Sequence, residues 1–103
     1  MRRTVITITP GASANDMPTV SYQDCHVSRG HGDEIEWRLT RPGTFSVEFP
    51  PGPGGSPFEP KYRFNDADPV SGPPTVADSD RRYKYRVTVP GNLPLDPDVI
   101  VDQ

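Results

Sequence analysis

Apolar residues recur at every second position along most of this chain, and that spacing is the period of a β-strand. The alternation is clearest in residues 3–9, 33–40, 44–49 and 81–89. Shorter strands are predicted at 61–64, 75–77 and 99–101. Because no long window shows an apolar stripe at helical spacing, the pattern predicts an all-β fold.

The second apolar run changes phase. Val20 and Tyr22 fall on one face of an extended chain, whereas Cys25 and Val27 fall on the other. A strand keeps its phase unless a residue is inserted or the chain turns. The sequence therefore predicts a bulge or bend near Gln23–Asp24.

Large apolar side chains on the inward positions predict the core. The runs 33–40 and 44–49 are joined by Arg41-Pro42-Gly43, a combination that favours a turn. We therefore expect these two runs to form a hairpin with its apolar side chains facing inward. With those of run 81–89, the predicted core residues are Trp37, Phe45, Phe49, Tyr83 and Tyr85.

Proline and glycine divide the chain into short pieces. The 103 residues include 14 prolines and 9 glycines, and the prolines fall between the apolar runs rather than inside them. This length fits one domain, residues 1–103. About seven short strands with frequent turns predict a two-sheet Greek-key sandwich.

Charge and cysteine content narrow the function. The net charge of −3, with acidic and basic residues interspersed, argues against a nucleic-acid partner. The lone Cys25 cannot close an internal disulfide, so a disulfide-stapled secreted scaffold is excluded. The apolar stretch near the N-terminus is too short for a signal peptide, and no segment is long enough for a transmembrane helix. We expect a cytoplasmic protein without a membrane partner.

Two motifs resemble cupredoxins. The segment GDEIEW, residues 32–37, resembles the entry to their core strand, and YKYRVTV, residues 83–89, stands where they have a tyrosine-bearing penultimate strand. The ending is also similar to that of small bacterial proteins of this build. The resemblance implies a cupredoxin-like sandwich with Trp37 and Tyr85 in its core; an immunoglobulin-like build is the alternative. A blue-copper site needs two histidines, a cysteine and usually a methionine, but none of these follows His31, so we expect no cofactor.

Two clusters carry candidate metal ligands. Cys25, His26 and His31 offer a thiol and two imidazoles, although adjacent residues of a strand point to opposite faces, so Cys25 and His26 would not grip one ion. The same geometry disfavours a Cys–His nucleophile. The acidic loop 65–80 offers oxygen ligands for Ca²⁺ in a spacing that is equally typical of solvated turns. Its candidate ligands are Asp66, Asp68, Asp78 and Asp80.

Two surfaces are candidate contacts for a partner. Arg82, Lys84 and Arg86 form a basic stripe on the outward face of run 81–89, and glutamates of the predicted hairpin are its expected cross-strand partners. Those glutamates are Glu34, Glu36 and Glu48. The proline-rich segment 50–60 would present Pro53, Ser56 and Phe58, with Phe58 anchoring it to the core.

No pair of residues in the sequence is typical of a catalytic site. We therefore expect a non-enzymatic interaction or structural module that uses a sheet edge and the proline-rich loop, with another protein or a second copy as partner. The alternative is a metal- or small-ligand-binding module using Cys25, His26 and His31 or the acidic loop. A hydrolase or carbohydrate-binding domain is disfavoured because the one tryptophan sits in the core pattern.

Overall fold

A computed structural model describes residues 2–52, 54–76 and 81–102. These residues form nine strands and no helix, and therefore no helix that could cross a membrane. The all-β class is confirmed. The strands are β1 (Arg3–Thr9), β2 (Thr19–Val20), β3 (Asp24–Ser28), β4 (Glu34–Leu39), β5 (Ser46–Glu48), β6 (Arg63–Asn65), β7 (Arg81–Lys84), β8 (Arg86–Thr88) and β9 (Asp98–Asp102).

The strands pair in three small sheets, whereas two sheets of about seven strands were expected. Their orders are β2-β1-β4, β3-β9-β7 and β6-β5-β8. Two pairs are parallel, β1 with β4 and β3 with β9, and the others are antiparallel. Both parallel pairs join strands that are distant in sequence, and the second of them ties the last strand, β9, to β3 in the first third of the chain.

The predicted strand 81–89 is divided between two sheets. β7 pairs with β9 and β8 pairs with β5, and only Tyr85 separates them. The alternation of buried and exposed residues continues across the break, since Tyr83, Tyr85 and Val87 are all buried. The second and third sheets are therefore continuous along this segment of the chain.

The predicted hairpin between runs 33–40 and 44–49 is wrong. β4 lies beside β1, and β5 lies between β6 and β8 in a different sheet. β5 has no access to the other edge of β4 because residues 69–71 occupy it: the Trp37 amide donates to the Pro69 carbonyl at 3.0 Å, and the Ser71 amide donates to the Ile35 carbonyl at 2.8 Å. Buried residues of both strands, such as Trp37 of β4 and Val47 of β5, belong to the same core instead.

An aromatic cluster fills the core between these sheets. Trp37 is 1% exposed, and its ring centroid lies 4.9 Å from that of Phe64, 5.6 Å from that of Tyr85 and 6.4 Å from that of Phe49. The Trp37 indole N–H donates to the Tyr85 hydroxyl at 3.3 Å, so the polar atoms of two buried rings satisfy each other. Phe45 and Tyr83 are also buried.

The phase change near Gln23 marks a change of sheet. β2 pairs with β1, and after residues 21–23 the chain continues as β3, which pairs with β9. Tyr22 lies in the bend and is 48% exposed. The strand predicted at 61–64 is found at Arg63–Asn65. Of the strand predicted at 75–77, residues 75 and 76 are not in a strand, and residue 77 lies outside the described residues.

Candidate functional site

The cysteine and histidines of the first candidate metal cluster are separated by the pleat of β3. Cys25 is buried, and His26, the next residue, is exposed on the opposite face. Burial raises the pKa of the Cys25 thiol to about 11 from an ordinary value near 9. The structure therefore does not bring Cys25 together with the histidines, and its thiol is protonated at neutral pH.

His26 and His31 do lie around one shallow depression of about 400 Å³, with Asp33, Asp102 and Arg2. His26 Nδ1 lies 3.0 Å from Asp102 Oδ2, and His31 Nδ1 lies 2.8 Å from the Ser28 hydroxyl. Within the described residues, no group of three or more histidine, cysteine, aspartate or glutamate side chains is arranged to hold a metal ion. Each imidazole is already bonded to a protein partner.

Residues 65–68, at the start of the acidic loop, form local turn and ion-pair contacts. Asn65 Oδ1 accepts hydrogen bonds from the amides of Ala67 and Asp68, and the Asp68 carboxylate forms an ion pair with Lys61 at 2.7 Å. Asp66 Oδ1 accepts a bond from the Phe45 amide at 3.3 Å. The other two candidate ligands, Asp78 and Asp80, lie outside the described residues.

Aspartates, rather than the expected glutamates, hold the basic stripe. Arg82 contacts Asp24 at 3.0 Å and Asp98 at 3.1 Å. Lys84 contacts Asp98 at 3.2 Å, and Arg86 contacts Asp96 at 3.5 Å. The ion pairs with Asp24 and Asp98 raise the pKa of Arg82.

The glutamates expected opposite the stripe have other arginine partners. Glu34 is buried and bonds to Arg3 at 2.5 Å, while Glu36 lies between Arg3 and Arg38 and has its pKa lowered by them. Only Glu48 lies in register with a stripe residue, Arg86, and its ion pair is with Arg63 at 3.8 Å. The prediction failed for Glu34 and Glu36 because β4 joined another sheet.

The proline-rich segment turns its predicted contact residues inward. Ser56 and Phe58 are buried, so neither side chain lies on the surface where a partner would touch it. Ser56 Oγ donates to the Lys61 carbonyl at 2.8 Å and accepts from the Phe58 amide at 3.0 Å. Phe58 packs edge-on against Phe49 and Phe64. Pro53 lies outside the described residues.

The exposed start of this segment meets the basic stripe. Pro50 and Pro51 line a groove of about 330 Å³ together with Lys84 and Arg86. We call it the loop groove; it is lined by Glu48, Phe49, Pro50, Pro51, Lys84, Tyr85, Arg86 and Asp96. The groove lies where the chain passes from β7 to β8, and it joins the two predicted contact surfaces.

A second opening, which the sequence did not predict, lies between two sheet edges. On β1 the amide and carbonyl of every second residue bond to β4. This series begins at the Arg2 carbonyl, which accepts a hydrogen bond from the Glu34 amide. The backbone groups of the intervening residues point away from β4. On that side, the Thr7 amide donates to the Ser21 hydroxyl, and the Thr7 carbonyl accepts from the Ser21 amide. β2 ends at Val20, so the outward amides and carbonyls of Arg3 and Val5 have no partner among the described residues.

The facing edge of β3 is open in the same way. The backbone groups of successive β3 residues point alternately to β9 and to the opposite side. On the β9 side, the Gln23 carbonyl accepts from the Asp98 amide, and the Arg29 amide donates to the Asp102 carbonyl. Ser28, on the opposite side, bonds to Asp33. The outward amides and carbonyls of Asp24 and His26 find no acceptor or donor within the described chain.

These two edges line one groove of about 660 Å³, which we call the edge groove. It is bordered by Arg2, Arg3, Thr4, Val5, Tyr22, Asp24, Cys25 and His26. The groove opens because the chain leaves β1 after Ser21 to pair with β9. The phase change at residues 23–24 was the sequence signal for this opening, since a strand that changes sheets leaves part of its former neighbour uncovered.

The chain was compared with known proteins. No protein-family model matches it, and neither a curated protein nor a solved structure matches it at a significant level.

Proposed function

We propose that this chain is a non-catalytic protein-interaction module that binds its partner through an open sheet edge. The observation that carries the proposal is the edge groove, where the outward backbone groups of Arg3, Val5, Asp24 and His26 lie beside one opening. Unpaired backbone groups at a sheet edge are a ready template for another chain. A second copy of this protein is included among the partners.

A protein partner is favoured over a nucleic acid by the electrostatics of the surface. The most basic stripe, Arg82, Lys84 and Arg86, is paired with Asp24, Asp98 and Asp96. Phosphate binding would have to break these pairs, whereas binding at the edge groove leaves Lys84 and Arg86 undisturbed. On this proposal the module acts in the cytoplasm, where the thiol of Cys25 stays reduced.

We propose the cupredoxin-like two-sheet sandwich, without copper ligands, as the architecture of this module. The continuity of the chain through Tyr85 supports it, because the strands of the second and third sheets then form one larger sheet beside the separate sheet β2-β1-β4. The contact between Trp37 and Tyr85, the two core residues that the resemblance implies, supports it further.

Capture of the partner tests the function. Tagged protein is purified from cells that carry the gene after chemical cross-linking, and retained proteins are quantified by mass spectrometry. We expect one or a few proteins, or the chain itself, retained in near-stoichiometric amount. The decisive control is Val5→Pro, which removes one outward amide of the edge groove but none of the amides that bond to β4. Recovery of background proteins alone would overturn the proposal.

A metal- or ligand-binding module is the second candidate, and the shared depression of His26 and His31 favours it. Cys25 cannot contribute because it lies on the other face of β3. Elemental analysis of protein purified without chelators tests this candidate. Stoichiometric zinc, copper or calcium that raises the Tm would support it, and a metal-free protein whose Tm is unchanged by these ions would exclude it.

A further inference from the structure

We infer that the edge groove binds an extended peptide strand, inserted between β1 and β3, that carries an acidic residue beside Arg2. This inference rests on the proposed interaction function and specifies the ligand of the same site. It follows from three features of the groove: two facing backbone edges, a width that narrows at one end, and one weakly paired arginine.

Backbone geometry favours a strand as the ligand. Arg3 and Val5 supply two donors and two acceptors from β1, and Asp24 and His26 supply the same from β3. Alternate residues of an extended chain point their amides and carbonyls to opposite sides. One inserted strand therefore satisfies both edges at once. Each open edge spans about three residues, or about 10 Å at 3.3 Å per residue, so a core of three or four peptide residues fills it.

The shape of the groove favours a single strand over a second folded copy. β1 and the chain at 19–21 are paired at one end, and they separate toward Arg3 and Asp24. The opening is therefore flanked by protein on both sides. An edge strand of a second copy would bring its neighbouring strands with it, and these have no space between two flanking edges. A free segment of a partner protein has no such neighbours.

Charge specifies one end of the peptide. Among the ionic side chains lining the groove, Arg3 is held by Glu34 and Glu36, and Asp24 is held by Arg82. Arg2 has a side chain that is 72% exposed, and its ion pair with Asp33 is long, at 3.9 Å. A carboxylate on the peptide would gain a close guanidinium partner there without displacing a strong pair. Tyr22, half-exposed in the bend, offers the peptide an apolar contact at the narrow end.

A peptide titration followed by amide chemical shifts tests this inference. The probe is the capped hexapeptide acetyl-Glu-Val-Thr-Val-Thr-Glu-amide, compared with the same peptide carrying Lys at both ends. We expect saturable shifts of the amides of Arg3, Val5, Asp24 and His26, and binding at least about tenfold weaker for the Lys peptide. Arg2→Glu should weaken binding of the Glu peptide to a similar extent. Arg41→Glu, an exposed site at the other end of β4, is the matched charge control and should bind normally.

Methylated peptides test whether both edges are engaged. N-methyl groups on alternate residues remove the donors toward one edge only, so two such peptides address β1 and β3 separately. Both should bind at least about tenfold more weakly than the parent. Insertion between the edges is overturned if only one peptide is weakened, or if no groove amide shifts at millimolar peptide. Shifts confined to the loop groove would overturn this inference and the use of the sheet edge, and would leave only a protein-interaction function through another surface. Failure of both titration and partner capture would overturn the interaction function as well.

Discussion

Replacing Trp37 by alanine should remove a large share of the stability of this protein. The side chain is 1% exposed and contacts Phe49, Phe64 and Tyr85. Truncating a buried aromatic costs about 3–5 kcal/mol, because apolar burial is lost and a cavity remains. A chain of this length is stable by about 5–10 kcal/mol. Trp37→Ala also leaves the Tyr85 hydroxyl without its indole donor, which places the expected cost in the upper part of that range.

Urea unfolding followed by far-ultraviolet circular dichroism measures this loss without relying on tryptophan fluorescence. Tyr22→Ala is the matched control, since it removes an aromatic ring that is 48% exposed. We expect that control to change the free energy of unfolding by less than about 1 kcal/mol. A loss below about 1 kcal/mol for Trp37→Ala would refute the reasoning, because it would mean that the indole does not hold the sheets together.

Three further predictions concern buried titratable groups. Burial raises the pKa of Cys25 to about 11, so the stability that comes from keeping this thiol protonated is complete below about pH 9 and is lost as pH rises toward 11. The free energy of unfolding in urea should therefore fall across that range, and it should fall less in Cys25→Ala. The same thiol should react with a disulfide reagent at pH 8 only at the rate of unfolding, and rapid stoichiometric labelling would contradict its burial. Arg3→Ala leaves the buried Glu34 carboxylate without its closest partner and should lower the Tm more than Arg63→Ala does, because the pair of Arg63 with Glu48 is exposed.

The faces of the strands could be predicted from the sequence because side-chain alternation depends on local residues alone. Strand β1 was predicted with its observed bounds, and the inward residues Phe45, Val47 and Phe49 are all buried. Burial of alternate residues requires only that one side of a strand face the core. Such a pattern carries no information about which strand lies alongside.

Strand partners could not be predicted in the same way. The turn at Arg41-Pro42-Gly43 suits a hairpin, yet β4 pairs with β1 and receives residues 69–71 on its other edge. These partners are distant in sequence, and β1 reaches β4 in the parallel direction, which no local turn encodes. Glu34 and Glu36, which were expected to face outward, therefore contact Arg3 instead of the basic stripe, and Glu34 is buried.

The candidate site was predictable only through its irregularity. The phase change near Gln23 indicated a bend, but the opening it leaves beside Val5 depends on β3 pairing with β9 at the far end of the chain. Phe58 is buried, as expected of the anchor of its loop, but Ser56 was expected on a contact surface and lies inward, where its hydroxyl satisfies backbone groups. The short polar side chain gave no sign of that role.

Amide hydrogen exchange in the free protein tests the open edges most directly. The backbone amides of Val5 and His26 point into the edge groove, whereas the amide of Ile6 bonds to β4 and that of Val27 bonds to β9. We predict that the amides of Val5 and His26 exchange about as fast as those of exposed loops, at low and high protein concentration, while those of Ile6 and Val27 are protected by several orders of magnitude. Equal protection of all four amides in dilute protein would mean that the edges are already paired, and it would contradict the account.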